Sequence, residues 1–354
     1  MINKLTLSIC AVLIGTSSYA QAKQPEFAAH HCKAAEINAQ HYRNFPDALL
    51  EAQARQESIT AVKQARRDNR HQTGESVTGV DMLAISDSPG YVIPVVFHVY
   101  GTVHNGDTVT DAVILDALYK TNEDFQGQTA DYADIDPEFT GVKDSLNVEF
   151  RLASIDPDGN PTSGIVYHPN SSGAGNYSSS DVKNDHWDNY KYMNVYIQND
   201  LYADGVTNNS GVAWYPDSGM SDDGLARVTY NGAYLGTNTD ENFRSVLTHE
   251  FGHFLDLIHT FEGGCKRGAA KRCGKTGDKS CDTPQQNSWQ MNPGDGGILN
   301  CLGETINWQN FMAYSDQYAN YTQDQVDRMV NGLASPARQT LWSVSNLVAT
   351  GTAD

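Results

Sequence analysis

The 354-residue chain carries 43 acidic against 24 basic side chains, a formal net charge of −19 and a pI of about 4.8. That balance argues against binding nucleic acid, or an anionic membrane surface, through the body of the protein. Beyond the first twenty residues no segment is long and apolar enough to cross a bilayer, so membrane insertion is not expected.

Residues 1–20 read as a signal peptide. Lys4 supplies a positive start, Leu5–Ile14 an apolar stretch too short to span a bilayer, and Ser18-Tyr19-Ala20 a small-residue cleavage site. A chain so marked is exported, and secretion is the expected localisation. Residues 21–87 differ in composition from the rest of the chain and are expected to be a propeptide. Asp47–Arg67 is rich in helix formers, and Pro46 suits a first helical position. Asp68–Gly79 is polar and turn-rich and reads as a linker, with a cleavable stretch near Arg66, Arg67 and Arg70. The alternative is a small helical arm kept in the mature protein.

A single domain is expected over residues 88–354. Tyr91–Tyr100 is a β-branched and aromatic run that reads as a strand. Asp111–Phe125 has helical spacing through Val113, Ile114, Ala117, Leu118 and Phe125. Val148–Ile155 and Met193–Ile197 alternate like strands, with Asp156-Pro157-Asp158-Gly159 as a turn, and Leu225–Tyr230 is a further short strand. The stretch Gly211–Trp214 with Leu225–Tyr230 is a candidate sheet edge for pairing with an extended peptide. Phe243, Val246, Leu247, Phe251, Phe254 and Leu255 then recur at helical spacing, behind Asp240 and Glu241 in the first turn.

That helix carries the run His249-Glu250-Phe251-Gly252-His253, with His259 six residues further on. Histidines at i and i+4 stand on one face of a helix, so both imidazoles reach one ion. With His259 they make a three-nitrogen zinc site with an open fourth position, the arrangement of a catalytic rather than a structural zinc. Glu250 is placed to act on a metal-bound water. Only 11 histidines occur in the chain, which makes this spacing improbable by chance. The bland reading is a surface helix with solvated histidines.

After Thr260 the chain turns rich in Gly, Cys and Pro, and a final helix is expected from about Asp324 to Leu333. Cys10 falls within the signal peptide, which leaves Cys32, Cys265, Cys273, Cys281 and Cys301. The last four cluster after the zinc helix and suggest two disulfides, for which three pairings are open. A four-cysteine zinc site is disfavoured by the oxidising compartment and by the lack of a C-x-x-C pair. Asp278 and Asp282 in this segment are candidate calcium ligands.

The histidine run resembles the metzincin pattern H-E-x-x-H-x-x-G-x-x-H, with Asp256 at the glycine position. The usual glycine ends the helix in a left-handed conformation, which aspartate tolerates at a cost on the order of 1 kcal/mol. Within that class the chain resembles the pappalysin group. The likeness is carried in order by Ile93-Pro94-Val95-Val96-Phe97-His98-Val99, Asn122-Glu123-Asp124-Phe125, Phe150-Arg151-Leu152-Ala153, the zinc helix with His259-Thr260-Phe261, Asp282-Thr283-Pro284, and Asn310-Phe311-Met312.

The resemblance implies an α+β zincin fold. A twisted mixed sheet and the active-site helix make its upper subdomain; the lower is irregular and disulfide-stapled, with a Met-turn and a C-terminal helix. It implies a secreted zinc endopeptidase acting on proteins or peptides, with Zn²⁺ on His249, His253 and His259. Glu250 is then the general base, Met312 the apolar floor under the metal, and Tyr314 a stabiliser of the oxyanion. It also implies the interleaved disulfides Cys265–Cys281 and Cys273–Cys301. Cys32 matches the propeptide cysteine that closes the open zinc position, although the usual flanking arginine and glycine are replaced by His31 and Lys33. Two other readings are a secreted binding or adhesive protein on a catalytically impaired scaffold, favoured by Asp256 alone, and a nonpeptidase zinc hydrolase.

Overall fold

The computed structural model describes residues 32–73, 90–169, 180–241, 243–268, 270–287 and 298–354. The expected signal peptide, the linker beyond Thr73 and the side chains of Arg66, Arg67 and Arg70 lie outside the described residues. Two helices come first, α1 (Ala34–Asn44) and α2 (Pro46–Thr73). Helix α2 runs six residues past the expected end at Arg67 into the stretch read as linker. Asp68–Thr73 holds no Gly or Pro to stop it.

The core is a six-stranded sheet built on β1 (Tyr91–Tyr100), of which Ile93 and Val95–Tyr100 are buried apart from solvent. One edge of β1 pairs in parallel first with β2 (Val148–Leu152) and then with β3 (Ile165–His168). Its other edge pairs in parallel with β4 (Met193–Ile197). Beyond β4 lies β6 (Arg227–Tyr230), parallel to it, and then β5 (Gly211–Ala213), antiparallel, closes the sheet. Strands buried on both faces read as continuous apolar runs, which is why β1 shows so plainly in sequence. Two strands are shorter than expected, β2 ending at Leu152 and β6 starting at Arg227.

One face of the sheet carries α3 (Asp111–Gln126), opened by the Thr110 hydroxyl accepting from Val113 N at 3.3 Å and closed by Gly127 at φ 64°. Beside it lies α4 (Val246–Phe254), which bears the histidines and follows a 3₁₀ turn at Phe243–Ser245. Phe251 meets the Phe150 ring at 4.7 Å, and Thr248 donates to Asp124 of α3 at 2.7 Å. The described residues of the lower half are mostly irregular until α5 (Gln323–Leu333), which starts in a capping box between Thr322 and Gln325. A last helix, α6 (Val344–Ala349), ends the chain.

Both disulfides form, but nested rather than interleaved: Cys265–Cys301 and Cys273–Cys281. The 3₁₀ turn at Ala270–Lys275 and the left-handed Lys279 fold the short loop back on itself. Cys281 thereby comes within 5.0 Å of Cys273 between Cα atoms, and Cys265 is left 5.8 Å from Cys301. Both separations suit a bridge.

Candidate metal and catalytic centre

The helical repeat of α4 brings the His249 and His253 rings to 4.6 Å between centroids. The helix then stops in a Schellman turn: Asp256 N–H bonds His253 O at 2.9 Å and Leu257 N–H bonds Gly252 O at 2.9 Å. Asp256 takes the left-handed position at φ 84° that the glycine was expected to fill. The turn sends His259 back against the helix, its ring 4.6 Å from that of His253.

The three imidazoles meet through one atom each. His253 Nε2 lies 3.0 Å from His249 Nε2 and 3.1 Å from His259 Nε2. His249 Nδ1 faces Phe311 O at 2.7 Å and His253 Nδ1 faces Leu257 O at 2.8 Å. A carbonyl only accepts, so both Nδ1 atoms carry the proton and both Nε2 atoms present bare lone pairs to each other. Two lone pairs at 3.0 Å repel unless a cation lies among them, and a carbonyl behind each ring is how metal-bound histidines are usually oriented. Burial, and for His259 the neighbouring histidines, make protonation a poor substitute: His253 is pushed down to about 4 and His259 well below its usual value. The donor set therefore fits a divalent metal of zinc type.

The Cys32 thiol completes the group, with all four ligand atoms within 4.8 Å of one another and all four residues buried. Cys32 Sγ also donates to Glu250 Oε2 at 3.5 Å. Burial, then the Glu250 charge, push the thiol up. A cation at the histidines would favour the thiolate instead.

Glu250 is fully buried, and burial raises its carboxyl to about 8. Its Oε1 has no hydrogen-bond partner among the described residues. The side chain lies flat on Gly211 of β5, where an added Cβ would sit 2.6 Å from Glu250 Cγ. That glycine was not singled out from sequence, and only the packing reveals it.

The lower half supplies the floor. Asn310 is gripped by Gln325 at 2.8 and 3.0 Å and accepts from Met312 N at 2.9 Å. Met312 is fully buried under Gly252, whose missing side chain leaves room for the sulfur. Tyr314 packs edge-on to His259 at 5.4 Å, and its hydroxyl donates to Cys32 O at 3.0 Å. Asp282 does not converge on a cation site with both oxygens: they accept from Thr322 Oγ1 and Asp324 N, both at 2.8 Å, at the start of α5. Asp278 is buried with Oδ2 unpartnered among the described residues, and burial raises it to about 8.

Three contacts of the N-terminal helices had no sequence signal. Asn38 of α1 donates from Nδ2 to Ala213 O at 3.3 Å and accepts at Oδ1 from Tyr215 N at 3.1 Å. These two backbone groups lie on the edge of β5 away from β6, the edge expected to pair with a peptide. Ala34 and Ile37 pack with Val212, Trp214 and Tyr314 beside it. Arg55 of α2 reaches Asp256 at 3.3 Å.

The sequence model of the peptidase family described as Pregnancy-associated plasma protein-A matches residues 176–334. An extracellular metalloprotease of Verticillium alfalfae is 31% identical over 40% of this chain, and the match spans about half, 48%, of that relative. One of Colletotrichum graminicola is 25% identical over 72% of this chain and 80% of its own length. Among solved structures, mirolysin in complex with a compound is 26% identical with a TM-score of 0.62, over 74% of this chain and 99% of that one. Mature mirolysin of Tannerella forsythia with a cleaved peptide gives 25% and 0.58 over the same shares. The matched family model spans less than half of the chain; with the histidine geometry and the Met312 floor on one scaffold, these likenesses support a pappalysin-type metzincin metalloprotease.

Proposed function

We propose that the chain is a secreted zinc endopeptidase made as a latent precursor, with residues 21–87 as its propeptide. The observation that carries the reading is the meeting of three Nε2 atoms, two with their protons committed to backbone carbonyls, beside a carboxylate pressed on Gly211. His249, His253 and His259 would hold zinc, which supplies Lewis-acid activation of a water and of the scissile carbonyl.

The chain's own groups do the rest. Phe311 O and Leu257 O fix two of the rings, and the Asp256 turn brings up the third. Glu250, desolvated and therefore basic enough to hold a proton near neutral pH, takes the proton of the attacking water and passes it to the leaving amine. Tyr314 lies where its hydroxyl, once free of Cys32 O, can donate to the oxyanion. The outer edge of β5 offers Ala213 O and Tyr215 N to the main chain of an extended protein or peptide substrate. In the intact chain Cys32 sits at the open ligand position and α1 covers that edge. For calcium, support comes from Asp278 alone. Asp256, the feature that favoured an impaired binding scaffold, adopts the conformation the ligand turn needs.

The test is casein hydrolysis by the processed protein beside Glu250→Ala, with and without 1,10-phenanthroline. The substitution and the chelator are each expected to remove activity, by about 10²-fold or more for Glu250→Ala, with zinc content kept. Undiminished hydrolysis by Glu250→Ala would overturn the assignment.

A further inference from the structure

Asp256 does more than replace a glycine. Its carboxylate is 3% exposed and lies between two arginines: Arg328 of α5 at 2.8 Å and Arg55 of α2 at 3.3 Å, both nearly buried. Arg328 also donates from Nε to Asp256 O at 2.6 Å, so the C-terminal helix holds the backbone of the turn as well as its side chain. Arg55 comes from the opposite end of the chain, 201 residues away. Around it Arg328 reaches Gln56 at 2.7 Å, Asn331 donates to Arg55 O at 3.2 Å, and Gln56 donates to Gly274 O at 3.1 Å.

The charges balance in two ways. With α2 in place, Arg55 and Arg328 face Asp256 and Glu51, the latter 3.4 Å from Arg55. Without α2, Arg55 and Glu51 leave together and Arg328 keeps Asp256. A buried charge stranded by loss of its partner is costly, and neither state strands Asp256 or either arginine. With glycine at position 256 the two guanidinium groups would share the pocket without the carboxylate that lies between them.

We propose that Asp256 is a binding residue for the N-terminal segment: its carboxylate captures Arg55 and so fastens α2 to the turn that delivers His259, by a contact that needs no metal. The proposal rests on the reading of residues 21–87 as a propeptide. Latency then has a hold on the ligand turn distinct from the Cys32 thiol. The aspartate tolerates its left-handed backbone because both arginines secure it.

The experiment measures amide hydrogen exchange over Ala34–Asn44 in the full chain carrying Glu250→Ala, which removes the proposed peptidase activity. Arg55→Gln and Asp256→Asn are each expected to speed that exchange at least tenfold, the double variant no further, and Arg55→Lys less than either. Unchanged exchange in Arg55→Gln would overturn the proposal, as would effects that multiply in the double variant or rapid exchange in the parent chain. Arg55 lies outside the catalytic domain, so its variants leave the fold of that domain as it is. Casein hydrolysis by the processed protein separately decides the peptidase reading: its failure, with exchange as expected, leaves the latch standing.

Discussion

The two halves of the molecule are ordered by different physics. The upper half, the sheet with α3 and α4, is held by apolar side chains at regular spacing: Ile93, Val95, Phe97 and Val99 along β1, and Val246, Leu247 and Phe251 along α4, all in one core. The described residues between Thr260 and Thr322 have little regular structure. Their order comes from two disulfides and from side chains bonding to backbone, as when Asn310 holds Met312 N and Asn300 accepts from Leu302 N at 2.9 Å and Glu304 N at 3.1 Å. The site needs both. The helix supplies two histidines and Glu250, while the irregular half supplies Phe311 O, Met312 and Tyr314. Precision at the metal therefore depends on loops whose stability is local and covalent.

Four changes probe that contrast. Phe251→Ala, in the upper core, is expected to lower stability in denaturant by about 3–5 kcal/mol. A loss near zero would mean the regular half does not set global stability. Removing Cys265–Cys301, by serine at both positions, is expected to cost about 2–5 kcal/mol. Removing Cys273–Cys281 should cost about 1 kcal/mol less, because it closes 8 residues rather than 36. Equal costs would show that strain rather than chain entropy governs the stapled loop. Gly211→Ala sets a methyl against Glu250, and overpacking of about 1–3 kcal/mol is expected. Casein turnover should fall while zinc content stays, and unchanged turnover would show that Glu250 has room to move.

The regular half was legible because burial repeats with the period of the element. Tyr91–Tyr100, Met193–Ile197 and the helix of His249 and His253 all stand where their spacing puts them. Met312 is legible only as a member of a known pattern. The disulfide pairing is not, because it depends on the turn at Lys279, whose left-handed backbone has no signature in that residue type. The full extent of α2 is not legible because a polar run resembles a break, although Asp68–Thr73 holds no Gly or Pro. Gly211, Asn38 and Arg55 act across more than 38 residues of chain, Gly211 on Glu250, Asn38 on Tyr215 and Arg55 on Asp256, and local pattern carries no trace of such partners.

The carboxamide of Asn38 has a consequence of its own. A strand edge with unsatisfied carbonyl and amide groups invites any extended chain to join it. Here one side chain offers a donor and an acceptor, as a peptide group does, while the main chain of α1 keeps its bonds within the helix. Among the described residues no backbone is threaded along that edge. The edge is covered by a side chain, and on the propeptide reading removal of α1 would leave Ala213 O and Tyr215 N as a bare template for another strand.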